Sequence, residues 1–235
     1  MDQQELVEAN KRLLERRGSL KPTTENTESP NTKLFSRVLS KLDTDKDRPP
    51  EEAIVLPSRA KINLRWAGVS PKYSECSFGN FKGNERLVDD LRKIKGSVFL
   101  TGKTGCGKTH LATAMLAEAE VDSSTDAFFI TVPEMLMKIR SSFSGTSGET
   151  EEELVKRFSD YQILVLDDLG SEKTTEYSIT TLFLILDRRD RWNRRTIVTS
   201  NLSLKEIEDT LGARIASRLA AMQAIKINMP DYRKN

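Results

Sequence analysis

The stretch GKTGCGKT, residues 102–109, decides how this chain folds. It follows a short apolar run at 97–101 and precedes a second one at 111–116, so it lies where a strand turns into a helix. In that context G-x-x-x-x-G-K-T is typical of a loop that wraps a polyphosphate, because its glycines let backbone N–H groups point inward and a helix N-terminus favours anions. The residues expected to bind the nucleotide are Gly102, Lys103, Thr104, Gly105, Cys106, Gly107, Lys108 and Thr109.

Two side chains at the end of this loop have predicted roles of their own. Lys108 is expected to reach the β- and γ-phosphates, and the hydroxyl of Thr109 is expected to take one Mg²⁺ position. The alternative is an ordinary glycine-rich turn between a strand and a helix, which looks similar in sequence. Because the flanking strand and helix are both present, we predict a chain that binds a nucleoside triphosphate with Mg²⁺.

The composition limits the fold and its partners. The chain has 235 residues, 37% of them hydrophobic and 31% charged, which predicts one sizeable domain with an appendage. Its formal charge is only +2, so a nucleic-acid site would have to be a local patch. We expect no secretory signal and no membrane segment, because no apolar run approaches about 18 residues. Two cysteines, Cys76 and Cys106, and one histidine exclude a zinc cluster made from those residues and favour a reducing cytoplasm.

From residue 59 onward, apolar runs of strand length alternate with helical stretches. The runs lie at 97–101, 127–132, 163–166, 196–199 and 224–227, and helices are expected at 108–119, 133–143, 151–158, 175–192 and 204–221, the last broken at Gly212. Ser203 and Glu206 form a predicted capping box at the start of that last helix. This alternation predicts an α/β fold in which a parallel five-stranded sheet lies between helices and ligands bind at the carboxyl ends of the strands.

Two carboxylates end the strand predicted at 163–166. The first, Asp167, is expected to hold Mg²⁺ through its water shell, and the second, Asp168, to orient or deprotonate an attacking water. Many P-loop ATPases have glutamate at the second position. Aspartate is shorter by one methylene, so we expect either slow hydrolysis or a role shared with Glu172. The alternative is a pair of acids that simply face solvent at a strand end.

Two further motifs follow the acidic strand. Asn201 ends the next strand, where its side-chain amide is expected to reach the γ-phosphate or the attacking water, although Ser-Asn is also common in turns. Arg214 and Arg218 lie four residues apart on one helix face. They form either a solvated edge or an arginine finger, which stabilises charge on a transferred phosphoryl group. A finger given to a neighbouring subunit's ATP would couple hydrolysis to assembly.

The first 58 residues are organised differently from the rest. One short helix is expected between a capping box at Asp2 and a stop at Gly18, and a stronger amphipathic helix is expected at 34–42. Polar and proline-containing linkers separate them. Such tethered helices dock either in a partner's groove or on their own domain, and the sequence leaves both open. We therefore predict a flexible helical extension at 1–58 and an ATPase domain at 59–235.

Taken in order, these motifs resemble the DnaC/DnaI/IstB group of AAA+ ATPases, which are bacterial helicase loaders and transposase helpers. The resemblance covers about residues 60–235 and is carried by the phosphate loop, DDLGSE at 167–172, TSN at 199–201, G-x-R-x-x-S-R-L at 212–219, and the segments 73–81 and 231–233. It implies a P-loop AAA+ core that binds ATP, with Asn201 as the first sensor, Arg218 as the finger and Arg214 beside it. It also implies the absence of a helical lid domain, so that a neighbouring subunit in a ring or spiral closes the site.

The resemblance further implies single-stranded DNA as a partner, partly through a helical insertion at 133–158. The candidate residues there are Lys138, Arg140, Phe143, Lys156 and Arg157, which would suit a basic groove with an aromatic platform. An amphipathic helix with an inward apolar side and solvated basic residues is an equal alternative. The densest positive cluster contains Arg188, Arg189, Arg191, Arg194 and Arg195, and it fits a phosphate or subunit contact about as well as a solvated helix end.

These observations favour an ATP-dependent DNA replication protein that loads a replicative helicase onto single-stranded DNA in the cytoplasm, with the N-terminal extension gripping the helicase. ATP hydrolysis is expected to be slow and stimulated by assembly or DNA. Two alternatives stay open. One is an IstB-like transposition helper with the same ATPase and a transposase as its partner, and the other is a nucleotide-switched binding module with little hydrolysis.

Overall fold

A parallel sheet of five strands forms the centre of the computed structural model, which describes residues 61–121, 125–142 and 148–232. The strands are β1 (Val98–Gly102), β2 (Ala127–Thr131), β3 (Ile163–Leu169), β4 (Arg195–Ser200) and β5 (Gln223–Ile227). Their order across the sheet is β2-β3-β4-β1-β5. The predicted α/β class and the five-stranded parallel sheet are thereby confirmed. The extension predicted at 1–58 lies outside the described residues.

Helices cover both faces of this sheet. In the described part of the chain they are α1 (Glu85–Lys93), α2 (Lys108–Ala117), α3 (Val132–Ser141), α4 (Glu151–Asp160), α5 (Glu176–Arg191), α6 (Leu204–Leu211) and α7 (Ala213–Ala220). Two short 3-10 turns, Pro71–Tyr73 and Phe78–Asn80, precede α1. None of the described helices is long and apolar enough to cross a membrane.

Alternate residues of the central strands belong to different halves of the core. In β1, Val98 and Leu100 pack in the half that contains residues of α1 and α2, whereas Phe99 packs in the half that contains residues of α3 to α7. In β3, Val165 and Leu166 are divided in the same way. Because both faces are covered, these strands are nearly continuous apolar runs, which is the pattern of a buried parallel sheet.

The ends of the last helices follow from their sequence. The Ser203 N–H donates to Glu206 Oε2 at 2.7 Å and the Glu206 N–H donates to Ser203 Oγ at 3.3 Å, so the predicted capping box is present. Gly212 has a φ of +93° between α6 and α7, a conformation that side chains disfavour. The predicted break at Gly212 is therefore confirmed.

Two features of the fold differ from the prediction. β3 continues to Leu169, beyond the predicted end at residue 166, because pairing with β4 resumes after an irregularity between Leu166 and Leu169. α1 was not predicted, since its sequence is mostly charged and only Val88 and Leu91 are buried. Its start is nevertheless signalled by Asn84, whose side chain accepts from the Leu87 N–H at 3.0 Å.

The strand order brings three chain segments to one edge of the sheet. β4 lies between β3 and β1, so Ser200 at its end pairs with Leu169 on one side and with Thr101 on the other. The phosphate loop begins at the last residue of β1, the acidic pair lies near the end of β3, and Asn201 follows β4. This edge carries the carboxyl ends of the strands, where open α/β sheets bind their ligands.

Candidate nucleotide-binding site

The phosphate loop requires glycine at two positions where other groups approach its backbone. Gly105 has a φ of +80°, and a Cβ there would lie 1.8 Å from Asp231 Oδ1. Gly107 has a φ of +93° at the N-cap of α2, and a Cβ there would lie 2.7 Å from the ring of Phe81. The loop therefore turns tightly into the helix N-terminus, where unpaired backbone N–H groups favour an anion.

Lys108 is buried and lines a cleft beside this loop. Its ammonium donates to Gly102 O at 2.8 Å, Lys103 O at 2.9 Å and Asn201 Oδ1 at 2.7 Å. These acceptors offset the cost of taking the ammonium out of water. The positive charge of Lys108 therefore lies next to the loop that we predict binds phosphates.

Asp167 is buried and accepts hydrogen bonds from the first turn of α2 and from β4. Thr109 Oγ1 donates to its carboxylate at 3.0 and 3.1 Å, and Thr199 Oγ1 donates to Oδ1 at 2.7 Å. Burial raises the pKa of Asp167, while these hydrogen bonds act in the opposite direction. The structure therefore places Thr109 and Asp167, the two predicted Mg²⁺ ligands, in direct contact.

These residues suit a metal ion that is shared with a nucleotide. Mg²⁺ is usually bound by one or two carboxylates together with substrate phosphates and waters. Within the described residues, no group of three or more His, Cys, Asp or Glu is arranged to hold a metal ion by itself. The pair of Thr109 and Asp167 fits the first arrangement.

Asp168 lies in an unusual backbone conformation beside the cleft. Its φ of +61° falls in the left-handed region, which aspartate and asparagine tolerate better than most residues. Its N–H donates to Thr199 Oγ1 at 2.9 Å, and its Oδ1 accepts from Asn201 Nδ2 at 3.2 Å. Thr199 thus hydrogen-bonds both acids, and the second carboxylate is hydrogen-bonded to Asn201 as well.

Asn201 connects the phosphate loop to the acidic pair. Its Oδ1 accepts from Lys108 and, at 3.4 Å, from Thr104 Oγ1, while its Nδ2 donates to Asp168. The structure therefore brings Asn201, Lys108 and Asp168 together, as expected from their positions at neighbouring strand ends. The role of Asn201 as the first sensor stays a prediction.

Aromatic residues form another part of the same cleft, which has a volume of about 610 Å³. Tyr73, Phe81, His110 and Tyr232 line it together with the phosphate loop and the acids. This volume is within the usual range for a small-ligand site, and the combination of polar groups with aromatic rings is also typical. A larger depression of about 1040 Å³ near Lys61, Arg92 and Glu118 contains none of the residues predicted to bind the nucleotide, hold Mg²⁺ or act in catalysis. The 610 Å³ cleft is therefore the candidate site.

Comparison with known proteins agrees with this geometry. The family model described as IstB-like ATP binding protein matches residues 77–224, a span that contains the phosphate loop, both acids and Asn201. The chain belongs to this family. The resemblance inferred from the motifs is thus confirmed, and the family's description names ATP as the ligand of its members.

Several relatives of this IstB-like protein have names that refer to helicase loading. It is 28% identical over 206 residues to the replicative helicase loader DnaC of Buchnera aphidicola subsp. Baizongia pistaciae, an alignment that covers 81% of this chain and 83% of the relative. It is also 28% identical over 180 residues to DnaC of Escherichia coli strain K12, covering 71% and 73% of the two chains.

Solved structures share the fold of this IstB-like domain. The crystal structure of the DnaC helicase loader matches with a TM-score of 0.58 at 20% identity and covers 68% of this chain and 100% of that chain. AMPPCP-bound DnaA from Aquifex aeolicus matches with the same TM-score and identity, but this chain covers only 51% of it. These likenesses confirm the P-loop AAA+ architecture.

The two arginines predicted to act in catalysis lie outside the cleft of their own chain. Arg218 donates to Asp187 Oδ1 at 2.8 Å and to Asp190 Oδ2 at 2.9 Å, both on α5. The guanidinium of Arg214 lies 5.7 Å from the ring centre of Phe183. Within one chain, the structure therefore does not bring these arginines together with the phosphate loop.

Glu172, the residue considered as a partner for Asp168, does not line the cleft. Its Oε2 accepts from the Gly170 N–H at 2.8 Å, and its Oε1 is buried without a hydrogen-bond partner among the described residues. Burial raises the pKa of Glu172. Of the two acids considered for orienting the water, Asp168 and Glu172, only Asp168 lines the cleft.

The basic residues considered for DNA are exposed on α3 and α4, while the apolar side of α3 packs into the core. Arg157 pairs with Glu149 at 2.6 Å, Lys156 pairs with Asp160, and the Arg140 guanidinium lies 5.6 Å from the ring centre of Tyr177. Phe143 lies outside the described residues. The structure of α3 therefore agrees with the interpretation as an amphipathic helix with solvated basic residues. A contact with DNA stays a prediction.

The arginine cluster near the end of α5 is not one surface. Arg189 is fully buried and donates to Thr196 Oγ1 and to the carbonyl oxygens of Phe158, Ser159, Tyr161 and Arg195. Burial, and next the charge of Arg194, lower the pKa of Arg189 to about 9. Both sequence interpretations, a phosphate or subunit contact and a solvated helix end, are therefore wrong for Arg189, which links α4, α5 and β4.

Proposed function

We propose that this IstB-like protein is an ATP-dependent loader that places a replicative helicase onto single-stranded DNA. The observation that carries the proposal is the network in which Asn201 hydrogen-bonds both Lys108 and Asp168, because it joins the predicted phosphate site to the predicted catalytic acid. The relatives named replicative helicase loader DnaC, which align over most of this chain, support the choice of helicase as the partner.

ATP binding rests on the loop and the helix that follows it. The backbone N–H groups of the loop and the α2 N-terminus would hold the phosphates, and the ammonium of Lys108 would exchange its backbone acceptors for phosphate oxygens. Thr109 and Asp167 would hold Mg²⁺, which when bound neutralises charge on the phosphate oxygens. The hydroxyl of Thr199 keeps the Asp167 carboxylate in place through its hydrogen bond.

Hydrolysis would depend on Asp168. Asp167 is hydrogen-bonded to Thr109, the other predicted Mg²⁺ ligand, whereas Asp168 is not. The carboxylate of Asp168 is therefore suited to orient or deprotonate water. The amide of Asn201 holds this carboxylate at 3.2 Å. We expect slow turnover that assembly or DNA stimulates, because one chain by itself presents no arginine to the phosphate site among its described residues.

Self-association would supply that arginine. We propose that Arg218 acts as a finger on the ATP of a neighbouring subunit, with Arg214 beside it, in a ring or spiral. To do so Arg218 must exchange its ion pairs with Asp187 and Asp190 for phosphate oxygens. Arg218 is 33% exposed and Asp190 is 44% exposed, so this pair is open to solvent, whereas Asp187 is only 14% exposed.

The N-terminal extension at 1–58 would hold the helicase, leaving 59–235 as the ATPase domain. We propose this division because the predicted helix at 34–42 has an apolar stripe and reaches the domain through a charged, proline-containing linker. The two cysteines are both unpaired, which is consistent with work in a reducing cytoplasm.

A transposition helper with a transposase partner is the second candidate, and the IstB-like family match favours it specifically. Purification of the tagged full-length chain from cells that contain both a replicative helicase and a matching transposase distinguishes the two. We expect the helicase to copurify. Copurification of the transposase without the helicase would contradict the loader assignment and support the helper.

A further inference from the structure

Residues 228–232, the C-terminal strap, follow β5 and lie on the phosphate loop. The Tyr232 N–H donates to Gly105 O at 3.1 Å. The carboxylate of Asp231 lies so close to Gly105 that a Cβ on this glycine would be 1.8 Å from its Oδ1. Two consecutive residues of the strap therefore contact the middle of the loop directly.

The sheet explains why the strap reaches this place. β5 pairs with β1 in parallel, and Ile227 at its end is paired with Gly102, the first residue of the loop. A Cβ on Gly102 would lie 2.5 Å from Ile227 O, so the two backbones leave the sheet in close contact. The strap and the phosphate loop thus leave the sheet side by side.

The ring of Tyr232 meets a second aromatic ring over the loop. Phe81 lies 5.7 Å away between ring centres, and both rings face Gly107, where a Cβ would be 2.7 Å from Phe81 and 3.7 Å from Tyr232. His110 fixes Phe81 from α2 by an edge contact at 5.3 Å, and its Nε2 donates to Ser77 O at 2.9 Å. The two rings are therefore held at one side of the cleft.

The hydroxyl of Tyr232 makes no hydrogen bond among the described residues that would hold the residue on the loop. It is buried near Gly83 and has no hydrogen-bond partner among the described residues. A buried hydroxyl without a partner costs free energy, so the backbone hydrogen bond and the ring contacts must hold the residue in place. Tyr232 lines the cleft, and its ring contacts Phe81.

We propose that the C-terminal strap is part of the nucleotide site and that Tyr232, with Phe81, binds the base of the nucleoside triphosphate. The proposal rests on the proposed ATP binding and adds the residue that contacts the base. Aromatic side chains bind nucleobases by stacking, and these two rings lie next to the loop that takes the phosphates. The strap would then cover the base, while the loop and Lys108 hold the triphosphate.

Binding of two ligands separates this role from a structural one. Full-length wild type and the variants Tyr232→Ala, Tyr232→Leu and Tyr232→Phe are titrated calorimetrically with ATP and with inorganic triphosphate, both with Mg²⁺. Tyr232→Leu keeps apolar packing against Phe81 without an aromatic face. Trp192→Ala is the control, because Trp192 is 75% exposed just before β4, at the opposite edge of the sheet.

We expect Tyr232→Ala and Tyr232→Leu to weaken ATP binding about tenfold and to change triphosphate binding by less than about twofold. Tyr232→Phe and Trp192→Ala should bind both ligands as wild type does. Unchanged ATP affinity in Tyr232→Ala, or an equal loss for ATP and triphosphate, would overturn the proposal, since the ring would then be dispensable or would only shape the loop. Failure of wild type to bind either ligand would instead overturn the proposed ATP binding itself.

Discussion

The side-chain amide of Asn201 donates to Asp168 Oδ1 over 3.2 Å, which ties the end of β4 to the end of β3. The same amide group accepts from Lys108 through its oxygen, at 2.7 Å. Asn201 therefore donates to the predicted catalytic acid and accepts from the predicted phosphate-binding lysine. A change in the position of the lysine on nucleotide binding would be transmitted to the acid through one side chain.

This link predicts separable effects on binding and turnover. Asn201→Ala should keep ATP affinity within about threefold, because the loop and Lys108 remain, while the hydrolysis rate falls roughly 10²-fold, the usual cost of removing one positioned polar group. Asn201→Asp is the matched variant, since it keeps the acceptor for Lys108 but places a carboxylate against Asp168. It should lose turnover at least as severely. A variant with normal turnover would show that the link to Asp168 has no role in catalysis.

A second prediction concerns the finger. Arg218→Ala should keep ATP binding and lose hydrolysis by about 10³–10⁵-fold, as for fingers supplied by a neighbouring protein. Mixing it with Asp167→Ala protein should partly restore turnover, because some mixed interfaces pair an intact acid with an intact arginine.

The control for the finger is Arg191→Ala, because Arg191 also pairs with Asp187, at 2.7 Å, but is not a predicted finger. It should retain turnover in steady-state ATPase assays. If the mixture shows no recovery although the two variants assemble together, Arg218 acts within its own subunit through Asp187 and Asp190.

Arg189 should be a large contributor to stability. Arg189→Met keeps an apolar stem but leaves several buried carbonyl oxygens without a donor, so we expect a loss of about 3–5 kcal/mol in the free energy of unfolding. Arg191→Met, at an exposed position two residues on, should cost less than about 1 kcal/mol. Urea denaturation measures both, and equal effects would show that the buried network contributes little.

Glu172 predicts a pH dependence of stability. Because burial raises the pKa of Glu172, the folded state binds its proton more tightly than the unfolded state. The contribution of Glu172 to stability is then most favourable below the ordinary carboxyl pKa and declines as the pH rises through the folded-state pKa. The melting temperature of Glu172→Gln minus that of wild type should therefore increase as the pH is raised from acid to neutral. A difference that is constant with pH would contradict this.

Local pattern was enough to predict the sheet and the centre of the site. Apolar runs that end in the phosphate loop, the acids and Asn201 reveal both the strands and the edge where those residues meet. Contacts between distant segments were not predictable from such patterns. Which segments pack together decides the burial of Arg189, the ion pairs of Arg218 and the contact of Tyr232 with Gly105. In the sequence, a run of arginines or a tyrosine near the end of the chain looks the same whether it is exposed or buried.

The most direct test of the loader function is a loading assay with the full-length chain, a replicative helicase and circular single-stranded DNA. Wild type with ATP and Mg²⁺ should transfer the helicase onto the circle, so that it then unwinds an annealed strand, and Lys108→Ala should fail while still forming the helicase complex. Helicase loading by Lys108→Ala at the wild-type rate, or no loading by wild type, would contradict the proposed ATP-dependent function.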